Sequence, residues 1–138
     1  MIQTRFGHLQ FNVHPQNLAF YKELFPFAGW PLLAEGPGML AFGHGVRGSL
    51  WFFGKASDAH NDYDGPGINH LALQVENQHD VDETVAYLQE RNIACLFDTP
   101  RHRPEFCASP EETYYQVMFA SPDRILLEVV YIGPVTRA

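Results

Sequence analysis

The sequence predicts an α+β fold built from two copies of a βαβββ module. A strand-like run, Gly-His-Leu-Gln-Phe-Asn-Val from Gly7, returns in the second half of the chain as Asn-His-Leu-Ala-Leu-Gln-Val from Asn69. Each run alternates polar and apolar residues with a period of two, and a helix-like apolar stripe follows each. Short turns join the later strands, which favours α+β over a doubly wound parallel sheet. The repeat therefore indicates an internal duplication.

The first module is predicted to span about residues 4–56. Its opening strand, about 5–13, places polar side chains on one face and apolar ones on the other. Pro15 suits the start of a helix, whose apolar stripe includes Leu18, Tyr21 and Phe25, and which is expected to end at Pro26 and Gly29. Three short strands follow, at about 30–35, 39–43 and 48–54.

The second module is predicted to span about residues 67–133, after a polar, turn-rich linker at about 57–66. Its first strand, about 68–76, is followed by a helix that Asp80 is expected to cap and Asn92 to end. A short strand at 93–97, a long loop at 98–112 and two closing strands at 114–120 and 125–132 complete the pattern. We expect the two modules to form one domain over residues 1–138, because a half of this size is marginal alone.

Composition limits the classes of function. The net charge is −7, with lysine and arginine scattered, so the basic stripe of a nucleic-acid-binding protein is missing and an anionic membrane surface would repel the chain. No stretch approaches the roughly 20 apolar residues of a membrane span. The chain begins without a secretory signal pattern, so we expect a cytoplasmic protein. With nucleic acid and membranes disfavoured, the expected partner is a small-molecule substrate. Paired modules favour symmetric association, and a homodimer is expected.

Three side chains form a candidate metal site. His8 and His70 occupy equivalent positions on equivalent strands, and Glu128 lies between Leu127 and Val129 in an otherwise apolar closing strand. A carboxylate at an interior position needs a cation or hydrogen-bond donors to offset its desolvation. Two imidazoles and one carboxylate suit Zn, Ni, Mn, Fe or Co as a divalent ion and leave positions open for water and substrate.

The same residues resemble the vicinal oxygen chelate superfamily, which contains glyoxalase I, fosfomycin-resistance enzymes, extradiol dioxygenases and bleomycin-resistance proteins. The resemblance covers essentially the whole chain. It includes both histidine-bearing strand openings, the Ala19-Phe20-Tyr21 helix start, and Phe119-Ala120-Ser121-Pro122-Asp123 leading to Ile125-Leu126-Leu127-Glu128. It implies paired βαβββ modules whose curled mixed sheet forms a cup around a divalent metal, with the helices outside. The metal would chelate vicinal oxygens of a substrate.

The chain departs from the patterns of several subgroups. Enzymes similar to glyoxalase I supply a further glutamate from the last strand of the first module, and the run from Gly48 to Phe53 offers no carboxylate. Extradiol dioxygenases and fosfomycin-resistance transferases usually place a tyrosine ten residues before the ligating glutamate, where this chain has Met118. The transferases also carry a threonine where this chain has Gln10. Arg124 replaces the glycine that is usual after Pro-Asp in the last turn.

The leading functional prediction is a divalent-metal-dependent, glyoxalase-like lyase or isomerase acting on a small oxygenated substrate. The metal ligands would be His8, His70 and Glu128. Glu128, with His102 and Glu105 as alternatives on a loop, would move protons. The residues expected to bind substrate are Gln10, Asn12, Gln74, Trp51 and Tyr115.

Two alternatives remain open. One is an Fe(II) extradiol ring-cleaving dioxygenase, which the methionine at position 118 disfavours. The other is sequestration of a small aromatic drug without catalysis, by Trp51, Phe52, Tyr114 and Tyr115. A sequestering protein needs no stoichiometric metal, so metal analysis separates it from the two enzymes.

Overall fold

The alternating run after Gly7 forms the first strand of a four-stranded mixed sheet. The elements of this first half are β1 (His8–Val13), α1 (Leu18–Phe27), β2 (Leu32–Gly36), β3 (Met39–Gly43) and β4 (Ser49–Gly54). The strand order is β1-β4-β3-β2, in which β1 and β4 are parallel and the other neighbours antiparallel. Pro26 does not end α1 but lies inside its last turn, and Gly29, at a φ of +85°, lies in the turn that follows.

The second half repeats this arrangement with longer closing strands. Its elements are β5 (Leu71–Val75), α2 (Gln78–Glu90), β6 (Leu96–His102), β7 (Glu112–Ala120) and β8 (Leu126–Pro134). The strand order β5-β8-β7-β6 again places the first strand parallel to the last. The predictions of an α+β fold and of two βαβββ modules are confirmed.

Two local predictions about the second half are wrong. Asp80 does not cap α2: the N-cap is Asn77, whose extended backbone begins the helix at Gln78, ahead of the aspartate. The strand predicted at 93–97 runs instead from Leu96 to His102, so it occupies the start of the predicted loop. The remainder of that loop contains a short 3₁₀ turn, Pro104–Phe106.

The computed structural model describes residues 1–44 and 48–136, which fall into two compact units, Met1–His60 and Asn61–Ala138. The division lies inside the segment predicted as a linker, at about 57–66. Neither described helix is long and apolar enough to cross a membrane. The single domain over residues 1–138, the cup, the cytoplasmic location and the homodimer stay predictions.

Aromatic rings fill the core of the first unit. The ring of Phe52 on β4 lies 4.9 Å from that of Phe11, 4.5 Å from that of Tyr21 and 5.1 Å from that of Phe25, measured between centroids. These separations are typical of favourable aromatic pairs. Because Phe52 is only 1% exposed, it packs α1 onto the sheet and has no free face for a ligand.

The core of the second unit lies between α2 and one face of its sheet. Because side chains alternate along a strand, every second residue of β7 and β8 faces α2. The buried side chains of this core are Val81 and Leu88 from the helix and Val117, Phe119, Leu127 and Val129 from the sheet. Tyr115 shares this face, since its hydroxyl donates to Asp82 of α2 at 2.8 Å. The opposite face of β7 and β8 is therefore the one that carries Glu128.

A break in the pairing of β6 and β7 displaces Phe97 and Asp98. The register jumps between the Leu96–Met118 and Arg101–Gln116 pairs, and both displaced residues have φ values of +57°. The buried side chain of Thr99 supplies hydrogen bonds where the backbone pairing is interrupted. Its Oγ1 donates to the Leu96 carbonyl at 2.6 Å and accepts from the Met118 amide at 2.9 Å. The bulge is thus held by specific hydrogen bonds.

Arg124 adopts the left-handed conformation that the usual glycine would adopt without strain. Its φ is +60°, and its amide and carbonyl are both bonded, to the Ser121 carbonyl and to Asn61 Nδ2. We predict that Arg124→Gly raises the free energy of unfolding by about 0.5–1 kcal/mol. Removing the side chain relieves a strain of roughly 1 kcal/mol or more at this φ, and the greater conformational entropy of glycine in the unfolded chain offsets part of that stabilisation. Denaturant unfolding measures the difference.

Arg124→Ala is the matched control, since it removes the guanidinium, which lies 5.9 Å from the Tyr63 ring, but keeps a Cβ at the same φ. If the glycine variant is no more stable than the alanine variant, backbone strain is not what limits this turn.

Candidate active site

Glu128 is a buried carboxylate with three hydrogen-bonding partners. It lies on β8 and is 1% exposed. Its Oε1 accepts from the Tyr114 hydroxyl at 2.7 Å and from Gln116 Nε2 at 2.6 Å, and its Oε2 lies 2.9 Å from His70 Nε2. A carboxylate without water is stable only when such partners replace its hydration. The prediction that Glu128 is an interior residue that needs partners therefore has a structural basis.

The register of β7 against β8 explains why Tyr114 and Gln116 reach this carboxylate. Met118 lies directly opposite Glu128 in the antiparallel ladder, and Gln116 lies opposite Val130. Tyr114, Gln116 and Met118 alternate onto one face of β7, so the first two approach Glu128 diagonally. Tyr114 thus supplies a hydroxyl to Glu128 from a position other than that of Met118, where extradiol dioxygenases and fosfomycin-resistance transferases usually have a tyrosine.

Arg103 orients the amide of Gln116. The guanidinium Nε of Arg103 donates to Gln116 Oε1 at 2.9 Å, so the opposite end of that amide, Nε2, must face Glu128 as a donor. Arg103 Nη1 also lies 3.3 Å from Glu105 Oε1. The pKa of Glu105 is lowered, first by a hydrogen bond to its own backbone and then by Arg103.

A second chain of hydrogen bonds sets the tautomer of His70. Asn69 Nδ2 donates to the carbonyl of Tyr63 at 2.9 Å, so Asn69 Oδ1 is the atom that faces His70 Nδ1, at 2.8 Å. An amide oxygen can only accept, and His70 Nδ1 must therefore carry a hydrogen. His70 Nε2 then faces Glu128 Oε2, an arrangement that requires either a proton or a cation between the two atoms.

The geometry of the His70–Glu128 pair fits a metal ligand pair. Two donor atoms bound to one ion at about 2.0–2.2 Å lie roughly 3 Å apart at the right angle of an octahedral site and roughly 3.4 Å apart at the tetrahedral angle that zinc prefers. His70 Nε2 and Glu128 Oε2 are 2.9 Å apart. The Asn69 contact to the other ring nitrogen is the outer-shell bond that metal-binding histidines usually make. No group of three or more His, Cys, Asp or Glu side chains that could hold a metal occurs among residues 1–44 and 48–136.

A cavity of about 590 Å³ opens beside this pair. Its polar wall includes His70, Glu128, Gln116 and Arg103. Its remaining wall is mostly apolar and consists of Tyr63, Phe97, Phe106, Tyr114, Met118 and Leu126, with Asp64 and Asn69 also lining the space. The volume is that of a site for a small molecule.

The predicted site residues of the first unit lie on β1 and β4. His8, Gln10 and Asn12 are exposed on one face of β1, where Gln10 Nε2 donates to Asn12 Oδ1 at 3.2 Å. Trp51 is opposite Gln10 in the parallel β1–β4 ladder, and Glu128 is opposite Ala72 in the β5–β8 ladder. Trp51 therefore holds the register position that the carboxylate holds in the second unit. The convergence of His8 with His70 and Glu128 stays a prediction.

Four predicted residues of the second unit do not line the cavity. Tyr115 faces α2, as described above. The ring of His102 is hydrogen-bonded through Nδ1 to the buried Thr113 hydroxyl, and Glu105 is exposed beside Arg103. Gln74 lies on β5 and is exposed, likewise outside the cavity lining.

Gln116, Arg103 and Asn69 line the cavity but are not among the site residues that the sequence predicts, and Tyr114 belongs there only to the alternative drug-binding set. Gln116 had a usable signal: it is a lone polar residue in an apolar strand, at a spacing of two from Tyr114 and Met118. That drug-binding set is wrong as a single surface, because Trp51 and Phe52, like Tyr114 and Tyr115, are strand neighbours that face opposite sides.

Solved structures show which known fold this chain has. A proposed glyoxalase from Bacillus halodurans is 25% identical over 94% of this chain and 96% of its own, with a TM-score of 0.75. A glyoxalase/dioxygenase from Nostoc punctiforme is 21% identical over 95% and 92%, with a TM-score of 0.70. A lactoylglutathione lyase from Agrobacterium tumefaciens is 19% identical over 94% and 95%, with a TM-score of 0.63.

The chain has the fold of the vicinal oxygen chelate superfamily, as the sequence resemblance predicted. No protein-family model matches the sequence, and no curated protein matches it. Because the Nostoc and Agrobacterium proteins share so few residues with this chain, their likeness concerns the fold alone. The reaction must therefore be argued from the site.

The environment of Tyr114 predicts an alkaline titration. Burial, and then the hydrogen bond and charge of Glu128, raise the pKa of Tyr114 to about 12, and burial and Asp82 raise the pKa of Tyr115 to about 12. In the unfolded chain tyrosine titrates near 10. Between these values the unfolded state binds fewer protons, so the free energy of unfolding should fall as the pH rises from about 10 to 12.

Denaturant unfolding across that pH range measures the slope, and absorbance at 295 nm follows phenolate formation. The Tyr114→Phe, Tyr115→Phe double variant should lose much of the slope. If the double variant kept the full wild-type slope, Tyr114 and Tyr115 would not be the source of the pH dependence.

Proposed function

We propose that the protein is a divalent-metal-dependent enzyme of the glyoxalase-like lyase or isomerase type. Its substrate would be a small oxygenated molecule that chelates the metal through neighbouring oxygens. The fold and the lyase among its structural neighbours support an enzyme of this general kind. The metal, the reaction type and the ligand set are the proposal itself.

The observation that carries the proposal is the fixed pairing of His70 Nε2 with Glu128 Oε2 at 2.9 Å. Asn69 holds the hydrogen of the imidazole on Nδ1, and Tyr114 and Gln116 occupy the other carboxylate oxygen. Two donor atoms of the preferred chemistry therefore remain directed at one point.

His70, Glu128 and His8 would hold the metal. When bound, a divalent ion supplies Lewis-acid stabilisation of an oxyanion that forms on the substrate. Zn, Ni, Mn, Fe and Co all accept imidazole and carboxylate donors, so the donor set does not choose among them. His8 is included because it repeats the position of His70 in the first unit.

Glu128 is the best placed group to accept a proton. Its Oε1 accepts from both Tyr114 and Gln116, whereas its Oε2 has the single partner His70, so Oε2 is the oxygen with room for a further proton. Glu105 suits this role less, because a lowered pKa makes a carboxylate a weaker base. Neither Glu105 nor His102 lines the cavity.

We predict about one divalent ion per chain in protein purified without chelators, measured by elemental analysis. His70→Gln and Glu128→Gln should each lower the metal content several-fold, because each removes one ligand, and His8→Gln should lower it as well. Thermal unfolding with and without added metal provides a readout independent of activity, since an ion that binds only the folded state raises the Tm.

The pair His79–Glu83 on α2 is the matched control, because its Nε2–Oε1 distance of 3.2 Å resembles that of the site but both side chains are exposed. His79→Gln and Glu83→Gln should leave the metal content unchanged. Full occupancy in both His70→Gln and Glu128→Gln, or no binding of any of the five ions by the wild type, would overturn the proposal.

One observation favours the dioxygenase as a second candidate. This chain has Met118 where extradiol dioxygenases usually have a tyrosine. The Tyr114 hydroxyl nevertheless contacts the same glutamate, Glu128, at 2.7 Å. A phenol beside the proposed ligand is therefore present after all. Loading with Fe(II) under anaerobic conditions, followed by addition of oxygen and a catechol, separates the candidates: only the dioxygenase consumes oxygen stoichiometrically with the catechol.

A further inference from the structure

We propose that the cavity of the second unit binds a small aromatic carboxylic acid, with its carboxylate on Arg103 and its ring against Phe97 and Phe106. For the reaction, this assignment rests on the proposed function, because it names the class of substrate. For the binding it stands alone, because none of these three residues is a proposed metal ligand.

The guanidinium of Arg103 is the cationic wall of the cavity. Its side chain is 21% exposed, and among the described residues its two partners are Gln116 at Nε and Glu105 at Nη1. Nη2 has no partner in that set. A guanidinium that lines a cavity and keeps a donor without a partner is a strong site for a carboxylate.

The negative groups near Arg103 do not satisfy it fully. Glu105 touches it through one contact of 3.3 Å, and the carboxylate is 47% exposed, so this pair is weak. Glu128 lies beyond Gln116 and is already bonded to Tyr114, Gln116 and His70. Asp64, the other carboxylate of the lining, is exposed to water on its loop. An incoming carboxylate would compete mainly with Glu105.

Two exposed phenylalanines form the apolar part of the wall. Phe97 is 48% exposed and Phe106 is 60% exposed, and both line the cavity. The ring of Phe106 meets the ring of Tyr114 edge to face, with centroids 5.2 Å apart. Large apolar side chains left exposed beside a polar group are typical of a ligand-binding surface.

The backbone at Phe97 adds an independent reason. A bulky residue at a φ of +57° is an outlier, and here the bulge that contains it is held by the hydrogen bonds of the buried Thr99. Strain of this kind tends to occur at functional sites. The strained bulge presents the ring of Phe97 to the cavity.

The test uses three probes with metal-free, chelator-treated protein: 3-phenylpropionate, its neutral amide 3-phenylpropionamide, and propionate, which has no ring. Isothermal titration calorimetry should show 3-phenylpropionate binding roughly tenfold or more tightly than either of the others, since an ionic hydrogen bond and a buried ring each contribute about this factor. Equal affinity for the acid and its amide in the wild type would overturn the assignment.

Variants assign the effect to residues. Arg103→Gln should abolish the preference for acid over amide, Arg103→Lys should keep part of it, and Phe106→Ala should weaken 3-phenylpropionate without affecting propionate. Arg101→Gln is the matched control, because it removes the same charge from a nearby side chain of β6 that does not line the cavity. Glu105→Gln should strengthen binding of the acid.

Persistence of the acid preference in Arg103→Gln would refute the role of Arg103. Because Arg103 also orients Gln116, circular dichroism must show that this variant is folded; if it is not, Arg103→Lys and Glu105→Gln decide, and unchanged affinities in both refute the proposal. Loss of metal binding with retained acid preference would remove the proposed function alone.

Discussion

The burial of the Glu128 carboxylate is the constraint on which the second unit depends. A charge that is 1% exposed must be met by donors, and breaking a buried charged pair costs about 3–5 kcal/mol. Tyr114, Gln116 and His70 meet that requirement, and Arg103 and Asn69 in turn orient two of these three. Most of the polar residues around the cavity therefore belong to one connected network. Because each member is oriented by the next, the site has little freedom to rearrange.

The same network accounts for the difference between the two units. Both units have the same strand order and the same parallel pairing of first and last strands. In the first unit Trp51 holds the position that Glu128 holds in the second, and its Nε1 donates to Ser49 Oγ at 2.9 Å. At this position the first unit therefore has no buried carboxylate that needs surrounding donors. The duplicated architecture thus carries a polar network in the half that holds Glu128 and an aromatic core in the other.

Much of the fold was predictable, because a strand with one polar and one apolar face has a sequence in which polar and apolar residues alternate. The opening strands and the pair of modules follow from that signal, and both helices follow from their apolar stripes. The bounds of β6 did not follow from either signal: a proline such as Pro100 usually interrupts a strand, yet here it lies inside β6, where the ladder to β7 is itself interrupted. No local sequence pattern indicates that the two residues before Thr99, Phe97 and Asp98, adopt the left-handed backbone conformation.

The candidate site was predictable only in part, for a related reason. His70 and Glu128 were found because the first repeats His8 and the second interrupts an apolar strand. Tyr114 and Gln116 were not placed with them, since their approach to Glu128 depends on the register that sets Met118 opposite it. Register is a property of two strands together, and a single strand does not contain it.

The parallel pairing of β5 with β8 has a consequence for the order of assembly. His70 and Glu128 stand at opposite ends of the second module's sequence, and they meet only when the strand that opens the module docks beside the strand that closes it. Closing so long a loop is entropically unfavourable until the intervening helix and strands have formed. A nascent chain still lacking its last strand therefore holds His70 without Glu128, and the buried polar network arises only with the completed module.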